Sequence, residues 1–481
     1  MNSKVKGYIL AEIVLIMGVC LCMASIITKT WIWFDESFSI NLIQHSFEDI
    51  LSFTALDVHP PLYYLILKVF TLILGKNMIA YYLPSILCYL ILIIASFIFC
   101  RKNFSIESAF LVSVALCSMP NGLDYALEIR MYSLGMLLVT LSFFIVHSIL
   151  KQASEKNQCV WSKLWLLLAV TNTAAAYTHY FAGAAAVAIS VFLLLILFMK
   201  YKKRKKTMVY WGIYCLTMFV LYLPWLPVLF RQMSTVGKGY WINPITEAEI
   251  HAYPNILFQL SNELYSHLLI GLYIIGFFLF LIHFKKNTEN IWLAGCYFVI
   301  LLWFGFGIGY SVLRTPILYS RYIVLLLPLF WLPICITYAK AEFRQYIVVV
   351  FAILFLSFMQ NYNTLYEKYS IYNQEREIAD LKSNVSENDV LFYSDIKEMC
   401  IQKAHFPESV CYAYEGIDSA EVFHYWTEML DCVMVEDLDE LDRVTGSVWV
   451  SNSEDVKDFL AHGWKLEVVE VPSGTMNRLY R

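Results

Sequence analysis

The stretch Pro61-Leu62-Tyr63-Tyr64-Leu65-Ile66-Leu67-Lys68-Val69-Phe70-Thr71-Leu72-Ile73-Leu74-Gly75 decides how the rest of the chain is threaded. At ~1.5 Å per residue a helix over it would reach ~22 Å, short of the ~30 Å hydrocarbon core of a bilayer. Tyr64, Lys68, Thr71 and Gly75 recur at helical spacing on one face, the pattern of a helix lying in the membrane interface rather than crossing it. Counting the stretch as a span would invert every basic loop that follows.

That a membrane is involved follows from composition. The chain has 481 residues, 59% hydrophobic and only 15% charged, with mean hydropathy +0.58; this is too apolar for a water-soluble globule. A spanning helix needs ~20 mainly apolar residues. Eleven candidates meet that measure: roughly 8–28, 79–100, 105–120, 131–150, 161–178, 181–200, 208–228, 264–284, 291–311, 322–339 and 345–360. Residues 8–28 follow Lys4 and Lys6 but are long for a signal-peptide core, which predicts an uncleaved first span. Arg101-Lys102, Lys151 with Lys156 and Lys163, the run Tyr201-Lys202-Lys203-Arg204-Lys205-Lys206, Lys285-Lys286, and Lys340 with Arg344 all fall on the side of the N-terminus. The positive-inside rule makes that side cytoplasmic. An odd number of spans then turns residues 29–78, the loop around 229–263 and the C-terminal tail outward.

After about residue 361 the composition becomes rich in Asp, Glu and Ser. Short β-type runs (390–393, 448–450, 466–471) alternate with helical pieces (375–381, 453–460), which predicts a small α/β domain outside the membrane. The expected fold class is therefore an all-α polytopic membrane protein of about eleven spans, with an interfacial helix in the first outer loop. We expect a transmembrane catalytic domain over 1–365 and an extracytoplasmic α/β domain over 366–481. Most of the twelve cysteines sit in apolar runs, where Cys behaves as a small hydrophobe. Cys400, Cys411 and Cys432 are the three in the polar tail, an odd count that argues against a full disulfide framework.

Three outward segments carry candidate chemistry. The first, Trp31-Ile32-Trp33-Phe34-Asp35-Glu36-Ser37, puts two carboxylates beside an aromatic belt, where acids are costly unless they face water, a cation or a reacting group. Asp35 would serve either as a helix cap or as a general base that takes the proton of an attacking hydroxyl, with Glu36 the second candidate. The second segment is Asp57-Val58-His59-Pro60-Pro61. Pro60 forces His59 toward an extended conformation and Pro61 suits the first turn of a helix; this is either a rigid turn or, with Lys68, a hold on an anionic headgroup. The third runs from Asn121 to Leu134 and contains Glu128, Arg130 and Tyr132. Glu128 and Tyr132, four apart, would share a helical face with Arg130 pointing elsewhere. Thr178-His179-Tyr180, Arg231, Arg314 and Arg321-Tyr322 add polar groups on the same side. Several cations on a face where the sign rule predicts few are what a phosphate site requires. Asp35 and Glu128, if they approach, could hold a divalent metal ion through oxygens; no spacing requires one.

The Asp-Glu pair, the His-Pro-Pro-Leu-Tyr-Tyr segment, the Glu-x-Arg-x-Tyr-x-Leu element and the Thr-His-Tyr that ends the fifth span together resemble the bacterial membrane glycosyltransferases of the GT-C superfold. The nearest in pattern are the protein O-mannosyltransferase and lipid A aminoarabinose transferase group. The resemblance covers about residues 8–340 and implies a polyprenyl-phosphate-linked sugar donor, with transfer on the extracytoplasmic face. By position it makes Asp35 the acid of the first outer loop and Glu128 an acid of the second. It sets His59 where the aminoarabinose group has a Lys before Pro-Pro. The expected function is inverting sugar transfer to an acceptor hydroxyl on a protein, wall polymer, lipid or glycan, in a multi-pass plasma-membrane enzyme with no nucleic-acid partner. Asp35 or Glu36 would be catalytic, and His59, Lys68, Glu128, Arg130, Tyr132, His179 and Arg321 would bind donor phosphate or substrate. A polysaccharide polymerase or ligase acting on a polyprenyl-linked glycan is the second reading. A transporter or flippase is the third; such proteins usually carry ionisable groups near the bilayer midplane, whereas here they cluster at outer ends.

Overall fold

A computed structural model describes residues 32–119, 121–200, 204–238, 242–260, 262–341, 345–371, 374–414, 420–450 and 453–481, together with 7, 10, 13, 14, 16–18 and 20. Trp31, most of the expected first span, residues 201–203 of the basic run, Tyr240 and Trp241 lie outside the described residues. The chain divides into two compact units: Met1–Ile27, Asp57–Tyr63 and Tyr82–Tyr366 form one, and Thr28–Leu56, Tyr64–Tyr81 and Glu367–Arg481 form the other.

The first unit is a bundle of apolar helices. Seven helices among the described residues are long and apolar enough to cross a membrane: Met78–Asn103, Tyr132–Glu155, Tyr180–Lys200, Lys205–Gly237, Glu263–Ile282, Thr288–Leu313 and Ser320–Lys340. Each coincides with one of the eleven candidate spans. Two further candidates are shorter helices, Ile106–Ser118 and Lys163–Thr178, and the last falls within Gln345–Ile371. Helix starts follow local chemistry: Ser105 accepts from the Ser108 amide at 3.1 Å and Asn287 from the Asn290 amide at 2.7 Å, satisfying donors that a first turn leaves open. The bundle core is built on large aromatic side chains, two of which tie helices together through their indole N–H groups. Trp292 and Trp303 are fully buried, and their indole N–H groups donate at 2.9 Å to the carbonyls of Phe143 and Phe181. The outer faces carry Leu301, Val312 and Leu313, all largely exposed, which suits hydrocarbon rather than water.

The second unit contains a six-stranded sheet: β1 (Val390–Tyr393), β2 (Cys411–Tyr414), β3 (Val433–Val435), β4 (Val448–Val450), β5 (Lys465–Val471) and β6 (Gly474–Tyr480). Their spatial order is β3-β2-β1-β4-β6-β5. β1, β2, β3 and β4 run parallel, with helices Ile396–His405 and Ala420–Leu430 in the crossovers after β1 and β2; β5 and β6 close an antiparallel hairpin. The expected strands at 390–393, 448–450 and 466–471 correspond to β1, β4 and β5, while β2, β3 and β6 carried no separate sequence signal. Asp389 fastens the start of β1 to that of β4, accepting from the Ser447 amide at 2.7 Å and the Trp449 indole at 3.1 Å. Burial opposes its charge, but these bonds, the Ser386 amide and the nearby Arg478 hold its carboxyl below the usual aspartate range. The two chain segments approach so closely that a Cβ on Gly446 would lie 2.2 Å from the Asn388 carbonyl oxygen.

The same unit includes helices Phe34–Leu42 and Phe47–Leu56 and most of helix Leu62–Leu74. In the last of these, Tyr64, Leu67 and Thr71 are buried, whereas Val69, Leu72 and Ile73 are exposed. The polar and aromatic face packs inward and an apolar face is left open, as befits a short helix set on acyl chains.

Candidate active site

His59 is the centre of a buried polar cluster in the helix-bundle unit. Its Nδ1 lies 3.0 Å from Asp57 Oδ2 and its Nε2 lies 3.4 Å from an Arg130 guanidinium nitrogen. A guanidinium has no acceptor, so Nε2 is the acceptor and the ring proton sits on Nδ1, donated to Asp57. Burial works against the Asp57 charge, yet the hydrogen bond and field of the His59 ring, the Arg130 guanidinium and the Val58 amide together hold its carboxyl below the usual range. The Asp57 carbonyl accepts from the Gln232 amide at 2.6 Å. Gln232 in turn accepts from the Tyr180 hydroxyl, which takes a hydrogen bond from the Trp225 indole at 3.1 Å. Gln232 therefore ties the loop that carries Asp57 and His59 to Tyr180 and Trp225.

Arg130 is 2% exposed, and its backbone is as constrained as its side chain. The Ser85 hydroxyl donates to the Arg130 carbonyl at 3.1 Å and pairs with the Tyr63 hydroxyl at 2.7 Å. The following helix begins only at Tyr132, so residues 127–131 form a bend. Our expectation of a shared helical face for Glu128 and Tyr132, with Arg130 turned away, is corrected on this point. Glu128 precedes the helix, and the bend, stabilised by the Ser133 hydroxyl donating to the Tyr125 carbonyl at 3.2 Å, directs Arg130 to His59.

His179 completes the cluster from the opposite side. Helix Lys163–Thr178 ends just before it and helix Tyr180–Lys200 begins just after; His179 itself is extended, with φ −158° and ψ 136°. Its Nδ1 accepts from the Phe181 amide at 3.1 Å, which leaves the proton on Nε2. That buried Nε2–H has no partner among the described residues. Burial first, then the charges of His59, Arg130 and Arg321, keep its pKa well below the ordinary imidazole value. It is a neutral donor. The His59 and His179 rings are 6.0 Å apart, His179 packs edge-on to Tyr322 at 4.8 Å, and Tyr132 stands 6.0 Å away. Arg321 lies over the Tyr319 ring at 5.1 Å. Among the described residues, no group of three or more His, Cys, Asp or Glu side chains is arranged to hold a metal ion.

Residues 58–227 match the family model of dolichyl-phosphate-mannose-protein mannosyltransferases. In fold, the chain is similar to the crystal structure of ArnT from Cupriavidus metallidurans in the apo state, with TM-score 0.64, 11% identity and 97% of each chain covered. The same values hold for ArnT from that organism bound to undecaprenyl phosphate. No curated protein matches the chain in sequence. In fold the chain is a multi-pass membrane protein of the GT-C type, with a mannosyltransferase family match over residues 58–227.

The matched segment contains His59, Lys68, Glu128, Arg130, Tyr132 and His179; Asp57 stands one residue before it, and Asp35, Glu36 and Arg321 lie outside it. His59, Arg130, His179 and Tyr132 are brought together in the helix-bundle unit. Asp35, Glu36 and Lys68 belong to the other unit. There, helix Phe34–Leu42 begins one residue before Asp35, with Trp33 as its cap. Asp35 is therefore not the capping residue. Glu36 is fully buried and its Oε2 accepts from the Trp33 amide at 3.3 Å, the back-bond that an acid at the third helical position makes. Asp35 keeps partial exposure. The helix rests on the tail: Phe34 stacks on Trp426 at 5.3 Å, Phe38 meets the same ring at 4.9 Å, and Asn41 donates to the Cys400 carbonyl at 2.8 Å. Lys68 donates to the Ile43 carbonyl at 2.7 Å, at the end of that helix. Sequence reasoning gave no role to Asp57, although it stands two residues from His59, and none to Gln232, for which no sequence signal exists; Tyr180 was singled out only as part of the Thr-His-Tyr segment.

Proposed function

We propose that this protein is a glycosyltransferase that moves a sugar from a polyprenyl-phosphate-linked donor to an acceptor hydroxyl on the extracytoplasmic face, with inversion at the anomeric carbon. The observation that carries the reading is the buried Asp57–His59–Arg130 chain with the His179 Nε2–H donor beside it. Guanidinium and imidazole donors fixed before substrate arrives suit a phosphate whose charge grows as a bond breaks. ArnT bound to undecaprenyl phosphate supplies a precedent for such a lipid on this fold.

In this reading the Asp35 carboxylate takes the proton of the acceptor hydroxyl. The acceptor oxygen forms its bond to the anomeric carbon, and the bond from that carbon to the phosphate oxygen breaks, the electron pair leaving with polyprenyl phosphate. Glu36, engaged with the Trp33 amide, holds the helix start rather than the proton. Arg130, Arg321 and the His179 N–H neutralise the leaving phosphate, while Glu128, Tyr132 and Lys68 serve substrate binding. The N-terminus is cytoplasmic and residues 366–481 form an extracytoplasmic domain. Lipid and glycan analysis of cells lacking the protein tests the reading. It predicts build-up of a sugar-linked polyprenyl phosphate and loss of one sugar from an envelope acceptor; unchanged lipid and glycan profiles contradict it.

A further inference from the structure

β2 and β3 are parallel neighbours, with Tyr412 opposite Val433, Ala413 opposite Met434 and Tyr414 opposite Val435. One step back along this register sets Cys411 opposite Cys432. In-register residues of adjacent strands point to the same face and sit ~4.8 Å apart, inside the ~4.4–6.8 Å range of Cα separations that a disulfide spans. The Cys432 thiol donates to the Leu430 carbonyl at 3.5 Å. Ser409 Oγ lies 3.3 Å from Cys411 Sγ. The Lys403 ammonium, buried and held by the carbonyls of Pro407 at 3.0 Å and Ser409 at 2.8 Å, is a charge neighbour of both cysteines.

We propose that Cys411 and Cys432 are a disulfide site, oxidised in the mature protein. The inference rests on the extracytoplasmic placement of the tail, because disulfides persist in oxidising compartments. Cys411 is the attacking group. The neighbouring Cys432 thiol is the largest influence on it, and with Ser409 and Lys403 it outweighs burial and brings the group down to about 7. The same contact, with burial, raises Cys432. Before the sheet closes over it, the Cys411 thiolate attacks the disulfide of an extracytoplasmic thiol oxidoreductase and displaces one of its sulfurs. Cys432, losing its proton, then attacks the mixed disulfide at Cys411. Two protons and two electrons pass from the pair to the oxidoreductase, whose disulfide becomes a dithiol. Cys400, the third cysteine of the tail, accepts from the Asn41 amide at 3.4 Å, and burial pushes its thiol up to about 12; it stays reduced.

The bridge has a structural purpose. β3 is a three-residue strand at the sheet edge. The helix just before it, Ala420–Leu430, carries Trp426 under Phe34 and Phe38 and the Met429 carbonyl, 2.6 Å from His45 Nε2. Linking Cys432 to Cys411 secures one end of the helix on which the Asp35 helix rests.

The test is peptide mapping of the full-length protein, purified without reductant and denatured in an alkylating agent. The expected result is a linked pair of peptides containing Cys411 and Cys432, resolved by reduction, with Cys400 alkylated from the start. Reductant then lowers the thermal midpoint by several degrees in the wild-type protein and leaves the Cys411→Ser/Cys432→Ser protein unmoved. In parallel, protease accessibility of the tail in right-side-out and inside-out vesicles reports its side, and oxidised glutathione is applied to reduced purified protein. A tail outside the cytoplasm with both thiols alkylated overturns the bridge while sparing the topology. Failure to link under oxidised glutathione overturns the geometry. A tail on the cytoplasmic side overturns the topology and the native bridge with it.

Discussion

The buried cluster of the helix-bundle unit and the acid-bearing helix of the second unit are built on opposite principles. Asp57, His59, Arg130 and Gln232 are tied side chain to side chain and side chain to backbone, so their order comes from a closed polar network inside a bundle of apolar helices. Asp35 stands in the first turn of a short helix, Phe34–Leu42, whose order comes from stacking on Trp426 and from the Asn41 bond to Cys400. The first arrangement suits groups that must present fixed donors to one anion. The second suits an acid seated on a platform supplied by a distant part of the chain. Damage to the tail should therefore reach the acid first, whereas damage to the cluster should appear in donor binding.

The largest effect expected is from Asp35→Asn. General-base catalysis contributes ~10²–10⁴-fold, and transfer from a sugar-linked polyprenyl phosphate should fall by that order while donor binding and folding are kept. Glu36→Gln, which retains an acceptor for the Trp33 amide, should keep most of the activity. Equal losses in the two variants would undo the distinction drawn between the acids.

Trp426→Ala removes the ring under Phe34 and Phe38. A buried Trp truncated to Ala costs ~3–5 kcal/mol, and here the loss should appear as a lowered midpoint for the tail together with reduced turnover. Donor affinity should stay unchanged. A donor-binding defect in this variant would blur the contrast between the two regions.

Much of the architecture was legible because it depends on local pattern. Apolar runs of spanning length gave the seven long helices, and the run ending at Gly75, too short to span, is the separate helix Leu62–Leu74. The break at His179 lay in the Thr-His-Tyr segment that the sequence reading singled out. What was hidden depends on contacts between residues far apart in the chain. Asn41 and Cys400 are 359 positions apart, and Gln232 reaches Asp57 across 175; neither leaves a periodicity. The direction of Arg130 was misread because helical spacing was extended through residues 127–131, where a bend fixed by Ser85 and Ser133 takes over.

Within the cluster, His179→Ala should weaken donor binding by roughly 3–10-fold, the scale of one neutral hydrogen bond of ~0.5–1.5 kcal/mol, measured as a change in donor affinity with turnover at saturation less affected. The smallest effect concerns Asp57. Its folded-state pKa is depressed, so the stability it contributes is present above the ordinary aspartate range and is lost as pH falls through the depressed folded value. Asp57→Asn should lower the neutral-pH midpoint modestly and remove that part of the acid limb of the stability–pH curve. An unaltered acid limb would mean that Asp57 does not act as a charged partner of His59.

The central claim is that the Arg130 cluster holds a polyprenyl phosphate. Its most direct test is the affinity of purified Arg130→Ala for undecaprenyl phosphate in detergent, set against the wild-type protein. A lost charge-assisted bond of ~1.5–3 kcal/mol predicts roughly 10–100-fold weaker binding in a protein that remains folded. Equal affinity in the two proteins would contradict the account.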